Sequence, residues 1–249
     1  MLQELDLPGL VILDRRMHVG RRRWFRRIVS HNEHVELQGS DIFWKNTTID
    51  VAMLRRGVSF VMQRWHKRID GFSEAIACAQ PERPRILVIE RGDSDPFYLS
   101  GRAEKPSSGR DRRSIGNHAE LVRALQQRFP GTRNVLLEGV PLAEQIALFH
   151  AADVVVAQHG AALANAVWMR PEAAIVEIRP LPKRESWRNH FKFLAASLGI
   201  AYMDVRQAAD FSPIDVASIV TIVEGMTADA GQSRPAPGVR QSSAPGDGL

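Results

Sequence analysis

Between residues 84 and 226 the chain alternates short apolar runs with stretches whose apolar residues recur every three or four positions. The runs are Ile86 to Ile89, Asn134 to Leu137, Val154 to Ala157, Ala174 to Ile178 and Ala201 to Met203. Their lengths suit strands, and strands apolar on both faces belong in a parallel sheet that is covered on two sides. The periodic stretches predict helices. Asn117 stands as an N-cap with Glu120 three residues on, ahead of Leu121, Val122, Leu125 and Phe129. Pro141 opens a helix with Leu142, Ile146 and Phe149 on one side. Trp187, Phe191, Leu194 and Leu198 mark another, and Ser212-Pro213 start a closing one that carries Val216, Ile219, Val220 and Val223. The alternation predicts an α/β fold, a Rossmann-like doubly wound parallel sheet, over residues 84–227.

The flanks differ. Residues 1–83 hold a strand candidate from Gly9 to Asp14 and one helix with Val51, Leu54, Val58, Val61 and Trp65 on a common face, and are expected to be a lead-in or partial N-terminal lobe. Residues 228–249 are rich in Pro, Gly, Ser and Ala with few large apolar side chains, so a disordered tail is expected there. The 44% apolar and 24% charged content is that of a soluble globular protein. No stretch reaches the ~20 apolar residues of a bilayer span, the start lacks the pattern of a secretory signal, and Cys78 has no cysteine to pair with. A cytoplasmic location is expected. Seven arginines between Arg15 and Arg27 outweigh the three acids of the first thirty residues. Such a cluster is either a solvated face or a site for phosphates, acidic glycans or the anionic inner face of a membrane. No recognised nucleic-acid-binding fold signature accompanies it, so nucleic acid is not an expected partner.

Ligands of open α/β sheets bind outside the carboxyl ends of the strands. The third strand runs into Gln158-His159-Gly160-Ala161-Ala162-Leu163-Ala164-Asn165. Small residues there let backbone approach a ligand, and a helix starting near Ala161 would point N–H groups and a partial positive charge at a diphosphate. The alternative is a tight turn whose small residues only serve packing. Arg91 ends the first strand and could fork onto a phosphate or form a surface ion pair. Glu177 ends the fourth strand and could accept ribose hydroxyls or a structural salt bridge. Asn117 reads more as a helix cap than as a ligand contact. Asp93-Ser94-Asp95 has the spacing of a metal-chelating Asp-x-Asp, but the tripeptide is common and Asp95-Pro96 reads as a turn; no metal is expected. His31 and His34 lack further zinc ligands at usable spacing. Glycine-rich dinucleotide, Walker and nucleophile-elbow motifs are absent from the sequence.

In order and spacing, five segments resemble glycosyltransferase family 61: Arg91 after a strand, Arg113 to Asn117 opening a helix, Leu142-Ala143-Glu144-Gln145 through Ala152, His159 to Asn165, and Val176-Glu177-Ile178-Arg179-Pro180. The resemblance implies a GT-B architecture of two facing lobes, of which residues from Arg113 to Tyr202 belong to the C-terminal, donor-binding one. It implies transfer from a nucleoside-diphosphate sugar to a glycan or polysaccharide acceptor, with inversion and without a required metal cofactor, in capsule, exopolysaccharide or lipopolysaccharide assembly. Arg91, Arg113, His159 and Gly160 would then face the diphosphate, Glu177 would lie near the nucleoside, and Asn117, Ala161 and Asn165 would belong to the donor site. No catalytic base is identified. Residues 1–83 are short for a complete acceptor lobe, so the alternative function is a non-catalytic nucleotide- or glycan-binding module; an epimerase acting on the sugar nucleotide is a third.

Overall fold

A computed structural model describes residues 51–93, 109–181 and 189–232. Helices α1 (Val51–Arg64) and α2 (His66–Ala79) lead into strand β1 (Ile86–Glu90). A single turn, α3 (Gly109–Arg112), precedes α4 (His118–Arg128), β2 (Thr132–Leu136), α5 (Leu142–Ala151) and β3 (Val154–Gln158). A 3₁₀ segment (Ala161–Trp168) then connects to β4 (Ala174–Pro180), α6 (His190–Leu198), β5 (Ala201–Gln207) and α7 (Val216–Gln232).

The five strands form one parallel sheet in the order β2-β1-β3-β4-β5. The chain first winds outward from β1 to β2, then crosses back and winds the other way through β3, β4 and β5. Direction reverses between β1 and β3, so the loops leaving their carboxyl ends part around a crevice. The expected α/β class with a doubly wound, Rossmann-like sheet is what the structure shows.

Alternation along the strands sorts the core into two layers. Leu87, Ile89, Val155, Ala157 and Ile175 face α2, α5, the 3₁₀ segment and α6, while Ile86, Val88, Val154, Val156, Val176 and Ile178 face α4 and α7. Helix α5 is covered nearly all round, with Leu142, Ala143, Ile146, Ala147, Leu148 and Phe149 buried. Each fully buried large side chain of this kind stabilises the fold by roughly 1.5–3 kcal/mol.

Four expectations change. A second helix, α2, follows the one expected before residue 83, and Trp65, Ile69 and Ile76 enter the same core as β1 and β3. These side chains pack onto the α/β unit from upstream of residue 84. The segment after β3 is a 3₁₀ helix, not an α-helix: Leu163, Ala166 and Met169 are all buried, a spacing of three that suits a helix whose i and i+3 side chains eclipse. Ser212 and Pro213 lie ahead of α7, which starts at Val216 and continues through Gln232, into the residues expected as tail. Strand β5 is longer than Ala201 to Met203 and pairs with the whole of β4. The strand candidate at Gly9, the arginine cluster, His31, His34, Ser94, Asp95 and Trp187 lie outside the described residues. Among the described residues no helix is long and apolar enough to cross a membrane.

Candidate functional site

The crevice between β1 and β3 is where three of the charged or polar residues singled out in the sequence meet. β1 delivers Arg91 and β3 delivers His159 and Gly160. Arg113 comes from the segment after α3, which is drawn back to the strand end by a 2.7 Å bond from the Arg110 amide to the Gly92 carbonyl. Both guanidiniums converge on one acceptor: Arg91 Nη2 donates to the His159 carbonyl at 2.8 Å and Arg113 Nη1 to the same oxygen at 3.3 Å. Arg91 Nη1 also donates to the Gly109 carbonyl at 3.3 Å. Gly160 is required by this approach, because a Cβ there would collide with Arg91 Nη2.

Arg91 lies in a strained electrostatic position. Burial, and after it the neighbouring Arg112 guanidinium, push its pKa below the ordinary arginine value, against the pull of the Glu138 and Asp210 carboxylates. A guanidinium stays protonated in proteins, so the charge is retained at a site with poor solvation. No carboxylate reaches ion-pairing distance of it among the described residues, and its Nε is buried without a hydrogen-bond partner. A half-buried cation with a spare, buried donor is suited to an anion that brings its own negative charge. The exposed Ala161 begins the 3₁₀ segment, whose first N–H groups have no partner within their own helix.

The other sequence-selected residues are engaged inward. Glu177 is fully buried; one carboxylate oxygen contacts His159 Nδ1 and the other accepts from the Tyr202 hydroxyl. With both oxygens taken by protein groups it presents none to a ribose in this structure, which departs from the expected hydroxyl contact. Asn165 donates to the Gln145 side chain at 3.1 Å and so ties the 3₁₀ segment to α5. Asn117 occupies the N-cap position of α4 but makes no side-chain capping bond. Its amide instead receives the Ile214 N–H at 2.9 Å and donates to the Ile214 carbonyl at 3.0 Å, clamping the chain ahead of α7. Asp93 pairs with Arg110, and no group of three or more metal-ligating side chains occurs among the described residues.

Residues not singled out in the sequence complete the site. Gln158 donates to Gln207 Oε1 at 2.6 Å and to the Asp210 carbonyl at 3.3 Å, and Gln207 donates to the Ser114 carbonyl at 2.9 Å. The Ser114 amide in turn bonds the Asp210 carbonyl at 2.8 Å. The strand end, the Arg113 segment and the loop after β5 thus form one hydrogen-bonded latch. A glutamine closing each of the two strands, β3 and β5, was the signal available for it.

A family model described as "Glycosyltransferase 61" matches residues 5–176, more than half of the chain. The chain belongs to glycosyltransferase family 61. The match covers Arg91, Arg113, His159 and Gly160 and stops one residue short of Glu177. It also starts far upstream of Arg113, so the N-terminal stretch set apart in the sequence carries family character too. Among characterised proteins, the chain is similar to Protein O-linked-mannose beta-1,4-N-acetylglucosaminyltransferase 2 of Tetraodon nigroviridis, with 36% identity over 120 residues. That similarity covers 48% of this chain and 20% of the relative, so the chain spans about a fifth of its length.

Proposed function

We propose that this family 61 chain binds a nucleoside-diphosphate sugar at the β1–β3 crevice and transfers the sugar, with inversion, to a glycan or polysaccharide acceptor. The observation that carries the reading is the pair of guanidiniums on the His159 carbonyl: Arg113 is buried, and the half-buried Arg91, with no carboxylate at ion-pairing distance among the described residues, lies beside a glycine that leaves room for it. When the glycosidic bond breaks, the leaving diphosphate gains negative charge. Cations fixed before the reaction stabilise that charge without having to reorganise. Arg91 and Arg113 would meet the diphosphate oxygens, and the amides at Gly160 and Ala161 would add a helix N-terminus to the cradle. This unit would be the donor lobe of a GT-B pair, with a shorter acceptor lobe formed by upstream residues, acting at the cytoplasmic side and using no metal. Polysaccharide assembly is the process such chemistry would serve.

The name of the Tetraodon relative makes an N-acetylglucosamine donor the first to try. Thermal-shift and calorimetric screens against UDP, GDP and CMP sugars test the reading, since a ligand that binds the folded state raises its melting temperature. At least one nucleoside-diphosphate sugar should bind, CMP sugars with their single phosphate should bind least, and EDTA should change neither result. Failure of every diphosphate to bind, together with absence of transfer or hydrolysis, would remove the proposal.

A further inference from the structure

We propose that Glu177, supported by Tyr202, is a positioning residue: it holds the His159 ring as its Nδ1–H tautomer and thereby fixes the turn that cradles the diphosphate. The inference rests on the diphosphate reading above and assigns Glu177 a place beneath the ligand instead of against its ribose.

The arrangement follows from strand register. Glu177 on β4 lies beside Ala157 on β3, and Tyr202 on β5 lies beside Ile175 on β4. Residues two apart on a strand share a face, so Ala157 and His159, Ile175 and Glu177, and Tyr202 all address the same layer. Glu177 thus sits between the other two side chains, contacting His159 Nδ1 with Oε1 and the Tyr202 hydroxyl with Oε2. Burial, and then the hydrogen bond to Glu177, push the Tyr202 pKa well above the ordinary tyrosine value, so the phenol remains a hydroxyl and donates. A carboxylate is an acceptor at both oxygens. With Tyr202 donating to one, the proton between Glu177 and His159 belongs on Nδ1. A fully buried carboxylate needs such donors, because an uncompensated buried charge is strongly destabilising.

The ring is held on its other sides as well. The His190 and Phe191 rings at the start of α6 lie 4.9 Å and 5.4 Å from it, centroid to centroid. The His159 amide donates to the Ile178 carbonyl at 2.8 Å, and its own carbonyl takes the two arginines. One residue therefore joins the buried carboxylate on one side to the cationic cradle on the other. A carboxylate on Nδ1–H also fixes ring orientation and steadies positive charge on the imidazole, as such partners do for catalytic and ligating histidines.

Glu177→Gln keeps the shape and removes the charge; Tyr202→Phe removes only the hydroxyl. Binding of inorganic pyrophosphate and of the free nucleosides uridine and guanosine is measured by calorimetry for parent and variants, and the His159 tautomer is read from long-range ¹H–¹⁵N spectra. The parent should show Nδ1 protonated. Glu177→Gln should weaken pyrophosphate roughly tenfold or more, shift the ring toward the Nε2–H form and leave nucleoside affinity as in the parent. Tyr202→Phe should weaken pyrophosphate to a smaller degree. Loss of nucleoside affinity with pyrophosphate binding intact would overturn the proposal and restore a ribose contact; so would unchanged pyrophosphate binding with an unchanged tautomer. Should Glu177→Gln fail to fold, parent-like pyrophosphate affinity in Tyr202→Phe overturns it. If the parent itself ignores pyrophosphate, the diphosphate reading falls and this inference with it, whatever the tautomer.

Discussion

Replacing Gly160 with alanine isolates the contact on which the site reading stands. Gly160 has a φ of 175°, extended backbone that any residue adopts, so the substitution brings no backbone strain. The new Cβ would land on Arg91 Nη2, 3.2 Å from that residue's Cζ and 3.6 Å from the Gln158 carbonyl oxygen. The backbone neighbour is at ordinary contact distance. Relief must therefore come from the guanidinium, the far end of a flexible side chain, which leaves its 2.8 Å bond to the His159 carbonyl. A hydrogen bond to a charged group contributes about 1.5–3 kcal/mol, but the displaced guanidinium regains water. The net loss of stability should be about 1 kcal/mol, a fall in Tm of about 2–4 °C for a chain of this size. Nucleoside-diphosphate affinity, by contrast, loses an oriented cation and should drop by about 1.5–3 kcal/mol, roughly ten- to a hundredfold in Kd. Calorimetry on Gly160→Ala, Arg91→Ala and the double variant separates the causes. If Gly160 acts only by leaving space for Arg91, the double variant binds about as weakly as Arg91→Ala alone. Additive losses, or a Gly160→Ala protein that binds like the parent, would refute the reasoning.

Gly116→Ala probes the latch behind Arg113: its Cβ would stand 2.6 Å from the Phe211 carbonyl oxygen and 3.0 Å from the Pro213 nitrogen, both backbone atoms that cannot swing aside. It should destabilise by about 1–3 kcal/mol and weaken diphosphate binding, whereas Gly57→Ala, with nothing within 4 Å in α1, should stabilise by about 0.5–1 kcal/mol in the same urea titration. Leu163→Ala, which empties a fully buried position in the 3₁₀ segment, should cost about 2–5 kcal/mol, and a loss below 1 kcal/mol would argue against that packing. Asp153, at the opposite end of the sheet from the site, tests the electrostatics of the fold: burial pushes its carboxyl up, but the Arg85 amide and the Arg170 and Arg83 guanidiniums outweigh this and hold it below the ordinary value of 3.8. A depressed folded-state pKa gives stability that is complete above the unfolded value and is lost as pH falls through the folded one. Asp153→Asn should therefore destabilise the fold at pH 7, with the gap to the parent closing as pH falls below the ordinary value of 3.8; an equal gap at pH 7 and pH 3 would contradict this.

Much of the fold was legible in the chain because parallel strands buried on both faces read as unbroken apolar runs. Ile86 to Ile89 and Val154 to Ala157 carry that signal, and the order of helices between them limits the topology to a doubly wound sheet. The elements that were missed or shortened have weaker local patterns. Strand β5 is an edge strand with alternating exposure and polar residues such as Asp204 and Arg206. Helix α2 has a mixed composition and contains Gly71. The cradle itself was half visible: small residues after an apolar strand mark the turn, and arginines after another mark the charge, but neither says that both guanidiniums end on one carbonyl.

What the sequence alone determined was period, since the spacing of apolar residues depends only on neighbours a few positions apart. Only tertiary structure decided the partners. Asn117 looks like a cap until the fold brings Ile214, 97 residues away, to its amide. Glu177 looks like an exposed strand-end carboxylate until the register of β4 between β3 and β5 places it under His159 and against Tyr202. A charged side chain in an apolar strand carries no local mark of whether it faces water or a donor; strand pairing over long sequence distances settles that, and with it the chemistry of the turn.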